Sequence, residues 1–349
     1  MKTPALLDEL LRAGAPSGYE GPAAEVWRKA ASFADQQESD GIGSSIARVG
    51  TEAPLLAIVG HIDEIGLLVT HIDEKGFLWF TSIGGWDPQI LVGQRISVLT
   101  KDGPVPGVAG RKPIHLLDPD QRKKVVELKG MHIDIGAADG EEASALVRVG
   151  DPVVIAAEPQ PLLGERLVSK SMDNRLGAFV ALESLRRCAE GDGPGGSMAA
   201  VAAVQEEIGL FGARTAAFQL RPDVAIAVDV THATDAPGVD EKELGSSPLG
   251  SGPVIGRGST LSPHVFELLV ETAEAEGIEY SVSASGRGTS TDADVLQISR
   301  SGIPTGLVSI PLRYMHSPVE MCDLRDVEAV VNLLAAVGSR LSGELDLSR

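Results

Sequence analysis

The chain alternates short apolar runs of strand length with segments of helical periodicity, and one long stretch interrupts that alternation. Residues 54–59 read Pro-Leu-Leu-Ala-Ile-Val and stop at Gly60, as a strand buried on both faces does. Runs of the same kind return at Ser197–Val204, Val224–Val228 and Thr305–Ile310. Between and around them the spacing turns helical. Pro22 suits a first helical turn ahead of Ala23, Val26, Trp27, Ala30 and Phe33. Arg175–Cys188, a segment between Val204 and Val224, Pro263–Glu276 and Leu324–Leu341 follow, the last with Asp323 as its N-cap. Strands alternating with helices predict an α/β fold, a sheet with helices on both faces.

From 71 to 163 the texture is different. Gln94–Thr100 and Val147–Ala156 are β-like and bounded by Gly, Pro or Asp, with one short helical piece near Gln121–Leu128. The strand–helix pattern starts before this stretch and resumes after it. The prediction is therefore a single α/β domain made of residues 1–70 and 164–349, interrupted by a small β-rich domain at 71–163. Charge follows the same division: the middle stretch holds 10 basic and 13 acidic side chains, the remainder 20 and 36.

A formal net charge of -19 argues against nucleic acid and against an anionic membrane surface, both of which need a basic footprint. No run approaches the roughly 18 apolar residues of a membrane helix. Leu6, Leu7, Leu10 and Leu11 are broken by Asp8 and Glu9, which is not the apolar core of a secretory signal. Two cysteines, Cys188 and Cys322, cannot build a disulfide framework, so a reducing, cytoplasmic setting is expected. Phosphate-binding P-loops, G-x-S-x-G elbows, H-E-x-x-H and paired zinc-finger cysteines are all absent from the sequence.

What remains is a set of His and carboxylates at the ends of the predicted strands. His61 follows the first apolar run, and Asp63 is placed to fix its other ring nitrogen. Asp173 precedes a helix, where an N-cap would explain it as well. Glu206 and Glu207 stand side by side after a buried strand and repel each other unless protonated or holding a cation, although a solvated turn would also accept them. Asp229 ends the run Val224–Val228, at the edge where open α/β sheets bind ligands. His316 follows the last strand, and a surface-loop histidine is its plain alternative. Together His61, Asp173, Glu207, Asp229 and His316 offer two imidazoles and three carboxylates. That set can hold two divalent cations, with one carboxylate bridging and about one positive charge left to favour a bound hydroxide. Glu206 is then left over as a general base.

The segments Gly60–Gly66 (GHIDEIG), Ser171–Arg175 (SMDNR), Val204–Gly209 (VQEEIG) and Arg313–Glu320 (RYMHSPVE), in that order, resemble the co-catalytic metallo-aminopeptidases that include the tetrahedral and glutamyl aminopeptidases. The resemblance covers essentially the whole chain. It implies a mixed-sheet α/β peptidase domain with a barrel-like inserted domain through which members assemble as dimers into dodecamers. It also implies one metal on His61 and Asp229, the other on Glu207 and His316, and Asp173 bridging. Glu206 would be the general base, Asp63 would orient His61, and Thr291 and Asp292 would be site-adjacent. The implied partners are peptides with a free N-terminus, whose α-ammonium a carboxylate-rich pocket can meet. The mixed His/carboxylate set suits Zn, Co or Mn alike. Asn174 departs from relatives that carry a second acidic residue there. His232, three residues after Asp229, is the remaining histidine nearest the site in sequence. Two other readings share the residues: an amidohydrolase or deacylase of small N-acyl compounds, and a non-catalytic assembly or peptide-binding protein.

Overall fold

The computed structural model describes residues 2–341; residues 342–349 of the second predicted segment lie outside the described residues. The strands in chain order are β1 (Gln36–Ser39), β2 (Ser45–Val49), β3 (Leu55–His61), β4 (Gly66–Ile72), β5 (Leu78–Ile83), β6 (Arg95–Thr100), β7 (Gly103–Arg111), β8 (Met131–Asp134), β9 (Pro152–Ile155), β10 (Gln160–Pro161), β11 (Arg166–Ser169), β12 (Ser197–Ala203), β13 (Val224–His232), β14 (Val254–Gly258), β15 (Ser281–Ser285), β16 (Thr305–Leu312) and β17 (Glu320–Asp323). Eight of them form a mixed sheet in the order β1-β2-β12-β3-β13-β16-β14-β15. Its centre, β12-β3-β13-β16, is parallel throughout, whereas β2 joins β12, and β14 joins β16, antiparallel.

Alternation along β3 explains why its apolar run is continuous. Leu56 and Ile58 enter one core with the helices Ala5–Arg12, Met172–Glu190, Pro263–Glu276 and Leu324–Arg340. Leu55, Ala57 and Val59 enter a second core with the helices Phe211–Leu220 and Ala293–Leu296. Each face therefore needs apolar side chains, and both parities of the strand supply them. The predicted helix Pro263–Glu276 forms with those bounds, with Ser262 accepting the N–H of Val265. Asp323 caps the last helix by accepting the N–H of Arg325.

β4, β5, β8, β7, β6 and β9 close into a barrel around a third core of Leu67, Val69, Leu78, Ile96, Val98, Ile133 and Val153. Its first strand continues from the Gly60–Gly66 segment with no glycine or proline turn between, so the expected boundary at residue 70 falls inside β4. A helix at Gly140–Leu146 was not anticipated. It is seven residues long, too short to show periodicity, and is started by Asp139 accepting the N–H of Glu142. The piece expected near Gln121–Leu128 is two single turns of 3-10 helix, Gln121–Lys123 and Leu128–Gly130.

Candidate metal centre

The four parallel strands end at one edge of the sheet, and every ligand candidate except Asp173 leaves from their ends. His61 is the last residue of β3. Glu206 and Glu207 follow β12 after Gln205, whose φ of 57° turns the chain out of the sheet. Asp229 lies within β13. His316 follows β16 and has a φ of 58°. Asp173 lies at the start of the helix Met172–Glu190, in non-helical backbone at ψ 104°. It does not cap that helix; past the kink at Asp173 and Asn174, Asn174 Oδ1 accepts the N–H of Gly177 as an N-cap does. Close packing brings this helix to the edge. A Cβ on Gly60 would sit 2.3 Å from the carbonyl carbon of Gly177, so only glycine lets β3 and the helix approach this far.

The side chains converge. His61 Nε2 is 3.2 Å from Asp173 Oδ1, 3.6 Å from Glu206 Oε2 and 4.0 Å from Asp229 Oδ1. His316 Nε2 is 3.3 Å from Asp173 Oδ2 and 3.3 Å from Glu207 Oε1. The two oxygens of Asp173 thus face different imidazoles. Ligand atoms of His61, Glu206 and Asp229 lie within 4.8 Å of one another, and so do those of His61, Asp173 and Glu207. Thr291 lines the same cavity of about 310 Å³, with His232, Ser290 and Met315 on its walls. Asp292 is 2% exposed, and neither of its carboxylate oxygens has a hydrogen-bond partner. His232 is exposed at the end of β13 and is not in the cluster. Asn174 is turned away from it, donating to Val228 O at 2.7 Å and accepting from Gly177 N at 2.8 Å.

Each imidazole turns its other nitrogen away from the cluster and towards an oxygen. His316 Nδ1 is 2.9 Å from the carbonyl of Gly85, on the barrel side. His61 Nδ1 lies 3.4 Å from Asp63 Oδ1. Asp63 also accepts the Ser17 hydroxyl at 2.6 Å and the backbone N–H groups of Glu206 and Glu207 at 3.1 and 3.2 Å. Sequence reasoning missed Glu320, which accepts the N–H of Asp173 and of His316. It also missed the buried trio of Glu64, Lys170 and Arg175, in which both cations contact Glu64. All four residues stand inside or beside the motif segments, but their charge alone did not separate a support role from a ligand role.

Electrostatics without a cation are strained. Burial pushes Glu206 up to about 10; His61 opposes this, while Asp229, Asp292 and Glu207 add to it. Burial likewise raises Glu207 and Asp229. Asp292 is pushed up to about 7 by its burial. Burial works against charge on Asp173 too, but hydrogen bonds from His316 and His61 outweigh it and hold that carboxyl well below its usual range. Contacts with Asp173 and Glu207 lift His316 to about 11. Asp173, Glu206, Glu207 and Asp229 therefore compete for two imidazoles. His61 Nδ1 and Glu207 Oε1 are buried with no completed hydrogen bond. A buried, oxygen-rich and anion-excess donor set with unsatisfied atoms fits divalent cations better than it fits protons.

Comparison with known proteins identifies the chain's relatives. Residues 43–333 match the family described as M42 glutamyl aminopeptidase. The lysyl aminopeptidase of Pyrococcus furiosus is 36% identical over 337 residues, 95% of each chain. The solved TET aminopeptidase of a marine-sediment Thaumarchaeota archaeon superposes with a TM-score of 0.92 at 36% identity, covering 97% of both chains. A Pyrococcus horikoshii TET1 peptidase, described as able to assemble into a tetrahedron or a large octahedral shell, gives 0.84 at 33% identity over 97% of this chain and 100% of its own. With the match spanning both the sheet edge and the barrel, the chain belongs to the M42 glutamyl aminopeptidase family.

Proposed function

We propose that this aminopeptidase removes N-terminal residues from peptides with the help of two divalent cations. His61 and Asp229 would hold one, Glu207 and His316 the other, with Asp173 shared. The observation that carries this reading is the split carboxylate of Asp173, 3.2 Å from one imidazole and 3.3 Å from the other through different oxygens. Bound there, Zn, Co or Mn ions would polarise the scissile carbonyl and supply a water acidic enough to ionise near neutral pH.

The chain's own residues do the rest. Glu206 takes the proton of the attacking water and returns it to the departing amine. Burial and like-charged neighbours raise its proton affinity, and bound cations would oppose that rise, leaving it ionised and able to accept the proton. Asp63 orients His61 and holds the turn that presents Glu206. The carboxylate-rich wall faces the substrate's α-ammonium, which favours cleavage at the end of a peptide over cleavage within it.

The α/β sheet domain would carry the catalysis, and the barrel, whose first strand β4 starts at Gly66, would be the domain through which dimers assemble towards a dodecamer. Exposed Val108, Ile114, Leu116, Val125, Leu146 and Val149 fall in that inserted stretch, where an interface through the barrel would cover them. Among the described residues no helix is long and apolar enough to cross a membrane.

The test is a panel of aminoacyl-anilides and N-acetyl amino acids, assayed after loading with Zn²⁺, Co²⁺ or Mn²⁺, with bound metal and solution mass measured in parallel. Turnover confined to substrates with a free α-amine, and two metal equivalents, are expected. Faster cleavage of the N-acetyl compounds would replace this reading with a deacylase.

A further inference from the structure

Asp173 and His316 are far apart in sequence and leave from different elements, yet one side chain holds the backbone of both. Glu320, 2% exposed, accepts the N–H of His316 at Oε1 (2.8 Å) and the N–H of Asp173 at Oε2 (3.2 Å). We propose that Glu320 is a positioning residue that fixes the separation of Asp173 and His316, and thereby sets the affinity of the second metal position. The proposal rests on the metal-ligand reading above.

Three observations support it. Neither ligand residue is held by regular secondary structure: Asp173 is non-helical at ψ 104°, and His316 has a φ of 58°, a region that residues other than glycine enter at a cost. Each therefore needs an outside tether. Glu320 is itself fixed. It opens β17 and pairs across from Ser169 in β11, four residues before Asp173. Finally, the ring and the backbone of His316 are held separately, the ring by Gly85 O at 2.9 Å and the backbone by Glu320. The Gly85 contact is made by the ring, and Glu320 is the side chain that holds the peptide N–H of His316.

The two hydrogen bonds use one carboxylate oxygen each. An amide offers one acceptor and turns an NH₂ donor towards the other N–H, so Glu320→Gln breaks one of the two tethers with almost no change in volume. Residues that orient metal ligands from outside the ligand set change metal affinity by about 10- to 100-fold when replaced.

A control with the same chemistry exists elsewhere in the chain. Asp326 is fully buried and accepts the N–H groups of Gly250 and Gly252, both at 2.7 Å. Asp326→Asn should cost stability without touching the metal positions.

The experiment is a Co²⁺ titration of the metal-free full-length chain, read by bound metal and by visible absorption. Wild type should take two equivalents. Glu320→Gln should bind at least one of the two equivalents at least about tenfold less tightly, with an altered cobalt spectrum, while Asp326→Asn keeps wild-type affinities. Two equivalents at wild-type affinity and spectrum in Glu320→Gln would overturn the proposal and leave the metal reading standing. Equal weakening in Asp326→Asn would also overturn it. Fewer than two equivalents in wild type would overturn the metal reading and this proposal with it. Should Glu320→Gln fail to fold, Glu320→Asp, with both acceptor oxygens on a shorter stem, carries the same comparison.

Discussion

Asp63 accepts the backbone N–H of Glu206 at 3.1 Å. The carboxylate that faces His61 therefore also anchors the turn that carries the two glutamates. A single buried group, 0% exposed, couples the end of β3 to the end of β12.

Asp63→Asn should disturb both ends of that link. The amide keeps one acceptor and gives up the charge that faces His61. Metal affinity should fall by about 10- to 100-fold, and activity at limiting metal should fall with it. Dialysis against buffered Zn²⁺ followed by elemental analysis checks this; wild-type retention would remove Asp63 from the supporting role.

Glu206→Gln separates base from ligand. Glu206 Oε2 lies 3.6 Å from His61 Nε2, close enough for either role. A general base gives unchanged metal content with kcat lowered by about 10²- to 10⁴-fold. Loss of one metal equivalent would instead make it a ligand.

His316→Ala should remove one metal equivalent and spare the other. His316 contacts Asp173 and Glu207, and no ion pair links it to Asp229. Metal stoichiometry of the purified variant decides this, and retention of both equivalents contradicts the assignment.

pH should act on the metal-free protein through its crowded carboxylates. Folding raises Glu206 to about 10 and His316 to about 11. Groups raised by folding stabilise the protein at pH below their unfolded values, and that contribution is lost as pH climbs towards the folded values. For these two groups the loss runs from about pH 4.5 to 10 and from about 6.5 to 11. Asp173 is depressed, so its contribution is present above the ordinary carboxylate range and is lost only in acid. The Tm of the chelated protein should therefore fall between pH 6.5 and 9. Metal displaces the same protons, so the gap between metal-loaded and chelated Tm should widen over that window. A chelated Tm that rises with pH would contradict the electrostatic account.

Gly60→Ala tests the packing that delivers Asp173. The added Cβ would lie 2.3 Å from Gly177 C and 2.5 Å from Gly177 O, both backbone atoms that cannot rotate away. Overpacking of this kind costs about 1–3 kcal/mol or more. Thermal unfolding should show a drop of several degrees, and bound metal should fall because strand and helix must part.

Much of the fold was legible because it is written in local patterns. β3, β12, β13 and β16 read as apolar runs since both sheet faces are covered, and the helix Pro263–Glu276 showed in its amphipathic spacing. The helix Gly140–Leu146 escaped because one buried residue, Ala143, sets no period. The first barrel strand escaped as a boundary because β4 follows β3 without a turn residue to mark the change.

The sequence by itself determined the inventory and the order: five ligand candidates, a spare glutamate and a supporting aspartate, each at the end of a recognisable strand or helix. Residue type and position along the chain are enough for that, because strand ends in a parallel sheet fall on one edge. Only the tertiary structure decided how Asp173 divides its two oxygens between His61 and His316, and that Asn174 points away. It alone showed Glu320 joining the backbones of residues that lie far apart in the chain. Those relationships depend on how closely the helix Met172–Glu190 packs on β3 and on which backbone N–H groups remain free at the sheet edge. Neither is a property of any local stretch of sequence.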